Sequence, residues 1–310
     1  MIKHLIAQKN TNVSVIMNCL NCSKYLRDAI DSVYGQTYKD WEIIFWDSGS
    51  TDNSPQIARS YGDRLRYFRG EISDPLYAAR NKALKRASGK YIAFLDCDDK
   101  WLPDKLQLQI EAFEGNQTVG LIHSNVRILE FTGSVRIKDK KVQPSGKVFR
   151  ELLKDYRINL QSVMISRKAL CSLDRWFDDS MYISGDVDLF LRISYDWEVL
   201  YLPQILAEYR EHGSSLSATR IDRIVPEWEQ ILTNLSNKYN RFTTDYKYEI
   251  QQFRSKALLS VAVAKWKYCN GTEARKVLKK NLSSAFFAFL YILSILPYRI
   301  PNYFRGLLRL

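Results

Sequence analysis

The chain has 310 residues, 46% hydrophobic and 26% charged, a balance that excludes a disordered or fibrous protein and suits one large core with an appended segment. Its formal charge of +12 is unevenly spread, because from Arg254 onward eleven basic residues face a single acid, Glu273. An anionic partner should therefore meet the C-terminal region rather than the main domain. The first ten residues carry no apolar stretch of signal-peptide length, and five cysteines (Cys19, Cys22, Cys97, Cys171, Cys269) form an odd, scattered set. Both features predict a cytoplasmic protein with reduced thiols. Only Cys19-x-x-Cys22 has motif spacing, and with no second Cys/His pair or thioredoxin-like context, plain structural thiols are the expectation.

The first half alternates strand and helix patterns, the signature of an α/β domain with a mostly parallel sheet. Val13 to Met17 reads as a buried strand, after which Tyr25, Leu26, Ala29, Ile30, Val33 and Tyr34 recur at helical spacing. Trp41 to Trp46 is a second strand, Ser54-Pro55 caps and opens a short helix toward Tyr61, and Leu65 to Phe68 is a third strand. Asp74-Pro75 opens a helix expected to stop near Gly89, and Tyr91 to Leu95 follows as strand. A helix from Pro103, a strand from Val119 to His123 and an exposed loop from Arg136 to Lys147 come next. Asn159 to Ile165 and Glu198 to Tyr209 read as strands around a helix from about Asp186 to Tyr195, and beyond Thr219 the pattern is helical.

Asp96-Cys97-Asp98-Asp99 stands where the fourth strand runs out, so alternate carboxylates project to one side of the chain. Such a run is either a solvated turn or a site for a hard cation, since Mg²⁺ and Mn²⁺ prefer oxygen ligands. The surrounding residues resemble family 2 glycosyltransferases over roughly the first two hundred positions, in four blocks. Val13 to Asn21 with Tyr25 to Tyr38 is similar to that family's opening strand and helix, and Trp41 to Asp52 to its second strand and nucleotide loop. Ala78-Ala-Arg-Asn81, with Ala87 to Asp99, resembles the helix leading to its Asp-x-Asp motif. Gly185-Asp186-Val-Asp188 with Tyr209-Arg-Glu-His212 resembles the acceptor-side acid and the closing Tyr-Arg-x-His element.

That resemblance implies a GT-A fold over residues 1–217, a helical basic region over 218–310, and inverting transfer of one sugar from a nucleotide-diphosphate donor, a UDP-sugar being favoured. The acceptor would be a glycan or lipid-linked hydroxyl in cell-surface polysaccharide synthesis. Asp98 would ligate Mn²⁺ or Mg²⁺, with Asp96 and His212 assisting, because a cation stabilises charge on the departing diphosphate. Asp47 would contact the nucleoside and Arg80 the base or diphosphate, with Asn18 and Leu20 at the end of the first strand lining the same pocket. Asp186 would be the base that takes the acceptor's proton. The plainer alternatives are a surface histidine for His212, a cap on the turn Ser48-Gly49-Ser50 for Asp47 and a helix N-cap for Asp186. Asp188, two residues further on, should point elsewhere and either support the turn or bind acceptor.

The pattern departs from the family at three points. Ser48 replaces a second acid in the nucleotide loop, Asn18-Cys19-Leu20 replaces residues of the Pro-Thr-Tyr kind, and Gly185 stands where a Glu often precedes the base. No Gln-x-x-Arg-Trp element of processive synthases is present. A non-catalytic nucleotide-sugar-binding protein on the same fold is the competing function, against which the joint retention of Asp98 and Asp186 argues. A nucleotidyltransferase or dinucleotide-dependent dehydrogenase would need a glycine-rich loop after the first strand, and Val13 to Tyr25 contains no glycine. Nucleic-acid binding is not expected, because the tail's aromatics cluster with aliphatics rather than alternating with basic residues.

The run Leu282 to Pro297 is apolar but only about sixteen residues long, too short as a helix to cross a hydrocarbon core of about 30 Å. It is flanked by Arg275, Lys276, Lys279 and Lys280 before and Arg299, Arg305 and Arg309 after. The pattern predicts a segment lying on an anionic membrane surface, the alternative being a helix that packs on the protein or at a dimer contact.

Overall fold

The computed structural model describes residues 11–70, 74–130, 133–279, 282 and 285–295. The chain divides into two compact units, one running to Leu152 and resuming over Arg157–Glu211, the other comprising Leu153–Tyr156 and the chain from His212. The first ten residues, and Lys280, Pro297, Arg299, Arg305 and Arg309 of the tail, lie outside the described residues.

Among the described residues the first unit is built on nine strands: β1 (Val13–Cys19), β2 (Trp41–Asp47), β3 (Leu65–Arg69), β4 (Tyr91–Phe94), β5 (Lys100–Trp101), β6 (Val119–Leu129), β7 (Val135–Ile137), β8 (Met164–Ser166) and β9 (Glu198–Arg210). They form one sheet in the order β3-β2-β1-β4-β8-β6-β9-β5, with β7 added to β6. The parallel pairing expected from the alternating pattern holds for β3-β2-β1-β4 and for β6 with β9. Beyond β4 the sheet is mixed, because β8 runs antiparallel to both β4 and β6, and β5 antiparallel to β9.

Continuous apolar runs give strands buried on both faces: all seven residues of β2 are buried, as are all four of β4. The helix Ser23–Tyr34 covers one face with Leu26, Ala29, Ile30 and Val33, the 3- and 4-residue spacing that puts side chains on one stripe. Chain order reverses at β1, since β2 and β3 lie on one side and β4 on the other. Ligands of open α/β sheets bind at such a switch, outside the carboxyl ends of the strands. There Asn18, Asp47 and the acid run after β4 come to the same edge.

Several boundaries differ from the sequence expectation. The helix after Asp74-Pro75 spans Leu76–Leu84 and ends before Gly89. That glycine serves a close approach instead, since a Cβ on it would lie 2.5 Å from the backbone nitrogen of Ser14. Ser54 is the first helical residue rather than the cap, and its hydroxyl accepts from the Cys22 amide. The expected strand from Asn159 is a 3₁₀ turn at Leu160–Ser162 followed by the short β8. Side chains draw its backbone off the ladder: Trp101 Nε1 donates to the Gln161 carbonyl and Gln109 Nε2 to that of Ser162, each at 2.8 Å. Within the segment read as an exposed loop, Arg136 and Ile137 pair with β6 and Asp139 is buried.

The second unit is helical. Its main helices are Ile224–Lys238, Lys247–Tyr268, Gly271–Leu278 and Ala285–Leu293. Ala262, Leu278, Phe287 and Leu290 form a small apolar cluster that holds the last of these helices to its neighbours. Among the described residues, Phe286, Phe289 and Ile292 of that helix and Ile295 just beyond it recur at every third position and are 41–69% exposed.

Candidate active site

Two groups of carboxylates stand at the carboxyl edge of the sheet. Asp47, the last residue of β2, is fully buried. Its Oδ1 accepts from the Ser50 amide at 2.7 Å, and its Oδ2 accepts from the Tyr67 hydroxyl at 2.5 Å and from Arg69 at 3.0 Å. Burial alone would raise its pKa, but the hydrogen bonds from Tyr67 and Ser50 and the Arg69 charge outweigh that and hold it below the ordinary range. The turn-capping role is thus realised, and Gly49 makes it possible with a φ of +91° that other residues rarely adopt. Asp52 at the far end of the same loop accepts from the amides of Ser23 and Ser54. These bonds tie the loop to the start of the helix Ser23–Tyr34.

Beside this loop, Asn18 has both side-chain polar atoms buried and without a hydrogen-bond partner among the described residues. Such an amide costs free energy unless a ligand satisfies it. Leu20 is half exposed, at 53%, and Ser48 is buried.

The second group gathers where β4 ends. Arg80, only 3% exposed, donates to Asp96 Oδ1 at 2.5 Å. Its guanidinium lies over the rings of Tyr77 and Phe177. It is therefore committed to Asp96, with the second Asp96 oxygen left for another partner. Asp98 is half-buried, and Arg210 donates to its backbone carbonyl through Nε at 3.1 Å. Asp99 is buried and accepts from the Arg210 amide at 2.8 Å, while its other oxygen has no partner within the protein. Burial, then the neighbouring charges of Asp98 and Asp96, pushes the Asp99 carboxyl well above the usual range. These oxygen donors, partly open and at alternate positions, fit a hard divalent cation.

Asp186 reaches the same cluster from the helix Gly185–Asp196. It lies inside the first turn, behind Ser184 in the cap position, so the N-cap alternative is not what the structure shows. The Tyr77 hydroxyl donates to its Oδ1 at 3.1 Å. Burial raises its pKa, and the Arg80 charge and the Tyr77 hydrogen bond only partly offset the rise. Gly185 explains how the helix comes so close: a Cβ there would sit 2.8 Å from the Tyr77 ring. The Glu common at this position would not fit against Tyr77.

Asp188 has the supporting role. It is fully buried, with Arg192 donating to Oδ2 through Nε at 2.9 Å and through Nη2 at 2.7 Å. Arg175 approaches the same carboxylate at 3.3 Å, and Arg192 also bonds the carbonyls of Arg175 and Trp176. The pair fastens the start of the helix to that segment. His212 belongs to the second compact unit, where its Nδ1 is 2.9 Å from the Ser214 hydroxyl.

Arg80, Asp96 and Asp186 thus converge on one charged cluster, while Asp47 is held by Ser50, Tyr67 and Arg69. Sequence reasoning missed Tyr77, Tyr67 and Arg69. Nothing in their spacing separates them from ordinary core aromatics or strand-edge cations.

The chain matches the family model of glycosyl transferase family 2 over residues 14–171. It is 31% identical over 220 residues to the UDP-Glc:alpha-D-GlcNAc-diphosphoundecaprenol beta-1,3-glucosyltransferase WfgD of Escherichia coli, covering 70% of this chain and 84% of that one. It is 30% identical over 221 residues to the putative teichuronic acid biosynthesis glycosyltransferase TuaG of Bacillus subtilis, covering 70% and 85%. Among solved structures it is similar to TarS of S. aureus in complex with UDP-GlcNAc, with a TM-score of 0.63, 15% identity and coverage of 93% and 89%. It is also similar to the mannosyltransferase PcManGT of Pyrobaculum calidifontis in complex with GDP-Man and Mn²⁺, with a TM-score of 0.62, 17% identity and coverage of 97% and 85%. The fold is that of the GT-A glycosyltransferases. The chain belongs to glycosyl transferase family 2.

Proposed function

We propose that this glycosyltransferase inverts configuration in a single displacement, moving one sugar from a nucleotide-diphosphate donor, a UDP-sugar in the first instance, to a glycan or lipid-linked hydroxyl. The observation that carries the reading is the cluster in which Asp186, its pKa raised by burial, faces Arg80 and Asp96. A carboxylate with raised proton affinity is suited to general-base work. Asp186 would take the acceptor hydroxyl's proton as that oxygen attacks the anomeric carbon from the face opposite the leaving group. Tyr77 would orient the Asp186 carboxylate. Asn18, Asp47, Leu20 and Arg80 would shape the nucleotide side, the unpartnered Asn18 amide supplying both a donor and an acceptor. Asp98 and Asp96 would hold Mn²⁺ or Mg²⁺. Bound there, the cation supplies positive charge to the departing diphosphate.

The test is Asp186→Asn, assayed across a panel of nucleotide sugars with Mn²⁺. Turnover should fall about 10²-fold or more while donor binding stays near that of the parent. A variant that loses donor affinity but keeps its turnover would make Asp186 a binding residue.

The proposal includes a peripheral location on the cytoplasmic face of a membrane. No helix among the described residues is long and apolar enough to cross one. The exposed row of Phe286, Phe289, Ile292 and Ile295, with Arg275, Lys276 and Lys279 close by in sequence, suits an anionic interface. WfgD's name gives its acceptor as a diphosphoundecaprenol-linked sugar, and an acceptor of that kind would be met at such a surface. The parent should float with anionic liposomes at low salt, and Phe289→Glu with Ile292→Glu should not. Equal behaviour of the two would reduce the helix to a packing element.

A further inference from the structure

Three of the five cysteines come together behind the nucleotide side of the site. Cys19 ends β1, Cys22 immediately precedes the helix Ser23–Tyr34, and Cys97 lies between Asp96 and Asp98. Their sulfur atoms all lie within 4.8 Å of one another. Cys19 and Cys97 are buried, Cys22 is half-buried, and Cys171 and Cys269 are exposed elsewhere. The sequence offered only Cys19-x-x-Cys22, half of a ligand set, and the fold adds the third thiol from β4's end.

The geometry points to a soft-metal site: Cys19, Cys22 and Cys97 together bind one thiophilic divalent cation, Zn²⁺ in the first instance. Zinc–sulfur bonds of about 2.3 Å in a tetrahedron put the sulfurs about 3.8 Å apart, so closing on the ion asks for shifts of about 1 Å or less. Three thiolates leave a fourth position for water or for Ser50, whose hydroxyl is 3.7 Å from the Cys19 sulfur. Hard and soft ligands then sit side by side, and ligand softness sorts the cations: Mg²⁺ and Mn²⁺ to the oxygens of Asp96 and Asp98, Zn²⁺ to the sulfurs. Plain core thiols would have no reason to converge, whereas here Cys97 is brought to the Cys19-x-x-Cys22 pair from more than seventy residues further along the chain. Occupancy would fasten the end of β1 and the entry of the first helix to the acid turn. The site is independent of which sugar or nucleotide the enzyme uses.

The full chain, reduced and freed of metal, is dialysed against Zn²⁺ with millimolar Mg²⁺ present. One Zn²⁺ should be retained per chain, and mapping of iodoacetamide adducts should find Cys19, Cys22 and Cys97 protected by it while Cys171 and Cys269 react as before. Co²⁺ in place of Zn²⁺ should give thiolate charge-transfer absorption, and Cys22→Ser should weaken binding at least about tenfold and reduce that absorption. The proposal is overturned if no stoichiometric ion is retained, if Zn²⁺ leaves the three thiols as reactive as before, or if they close a disulfide and take up no metal. It also fails if Cys22→Ser folds and binds as the parent does. Should that variant not fold, the protection pattern of the parent decides alone.

Discussion

Asp47 and Asp186 are both carboxylates set into the protein at the carboxyl edge of one sheet, yet their surroundings drive them in opposite directions. Asp47 receives three hydrogen bonds, one of them from the Arg69 cation, and its pKa falls. Asp186 accepts from the Tyr77 hydroxyl, which does not offset its burial, and its pKa rises. In stability terms the first gains from being ionised. Its contribution is present above the unfolded-state pKa and is lost as pH falls through the lowered folded value. The second reverses the sign: its folded state holds the proton more tightly, so ionisation above the raised pKa costs stability. An acid held by three donors is a fixture, whereas an acid with a raised pKa retains the proton affinity a general base needs.

The contrast breaks most completely at the acid run after β4. Asp98→Asn keeps the shape and removes the charge, so metal-dependent transfer should fall below detection, as it should for the parent in EDTA. Full activity in either case would remove the cation from the mechanism.

Next in size is the pair that holds the Asp186 helix. Asp188→Ala leaves the Arg192 guanidinium buried without its carboxylate, and breaking such a pair costs about 3–5 kcal/mol. A lowered Cm in urea with an unchanged m-value should report it. A variant as stable as the parent would show that Asp188 is not a structural anchor.

Tyr77→Phe is the finest test. Its hydroxyl favours the ionised form of Asp186, so losing it should raise the Asp186 pKa further. The acid limb of kcat/KM should move to higher pH, with a loss of about tenfold or less on the plateau. An unshifted limb would detach Tyr77 from the base. Asp47→Asn, in contrast, should leave that limb where it is.

Much of this was legible in the sequence. The strands β1, β2 and β4 announced themselves because strands buried on both faces read as near-continuous apolar runs. The family blocks carried Asp47, Asp96, Asp98 and Asp186 with them. Less legible was the region from Asn159 to Ile165, where an apolar run looks like a strand but side chains of Trp101 and Gln109 claim its carbonyls. Local pattern cannot register a partner more than fifty residues away.

The sequence by itself determined which residues could ionise, which segments had to be buried and where the acids fall along each strand, since these follow from residue type and the fixed periods of helix and strand. Only the tertiary structure decided which acid has its pKa lowered and which has it raised. It set Tyr77 against Gly185, spent Arg80 on Asp96, buried Asp188 on Arg192, and brought Cys97 to Cys19 and Cys22. Each of these depends on through-space distance between segments remote in the chain, and a pKa or a ligand set is a property of that distance and of the solvent it excludes.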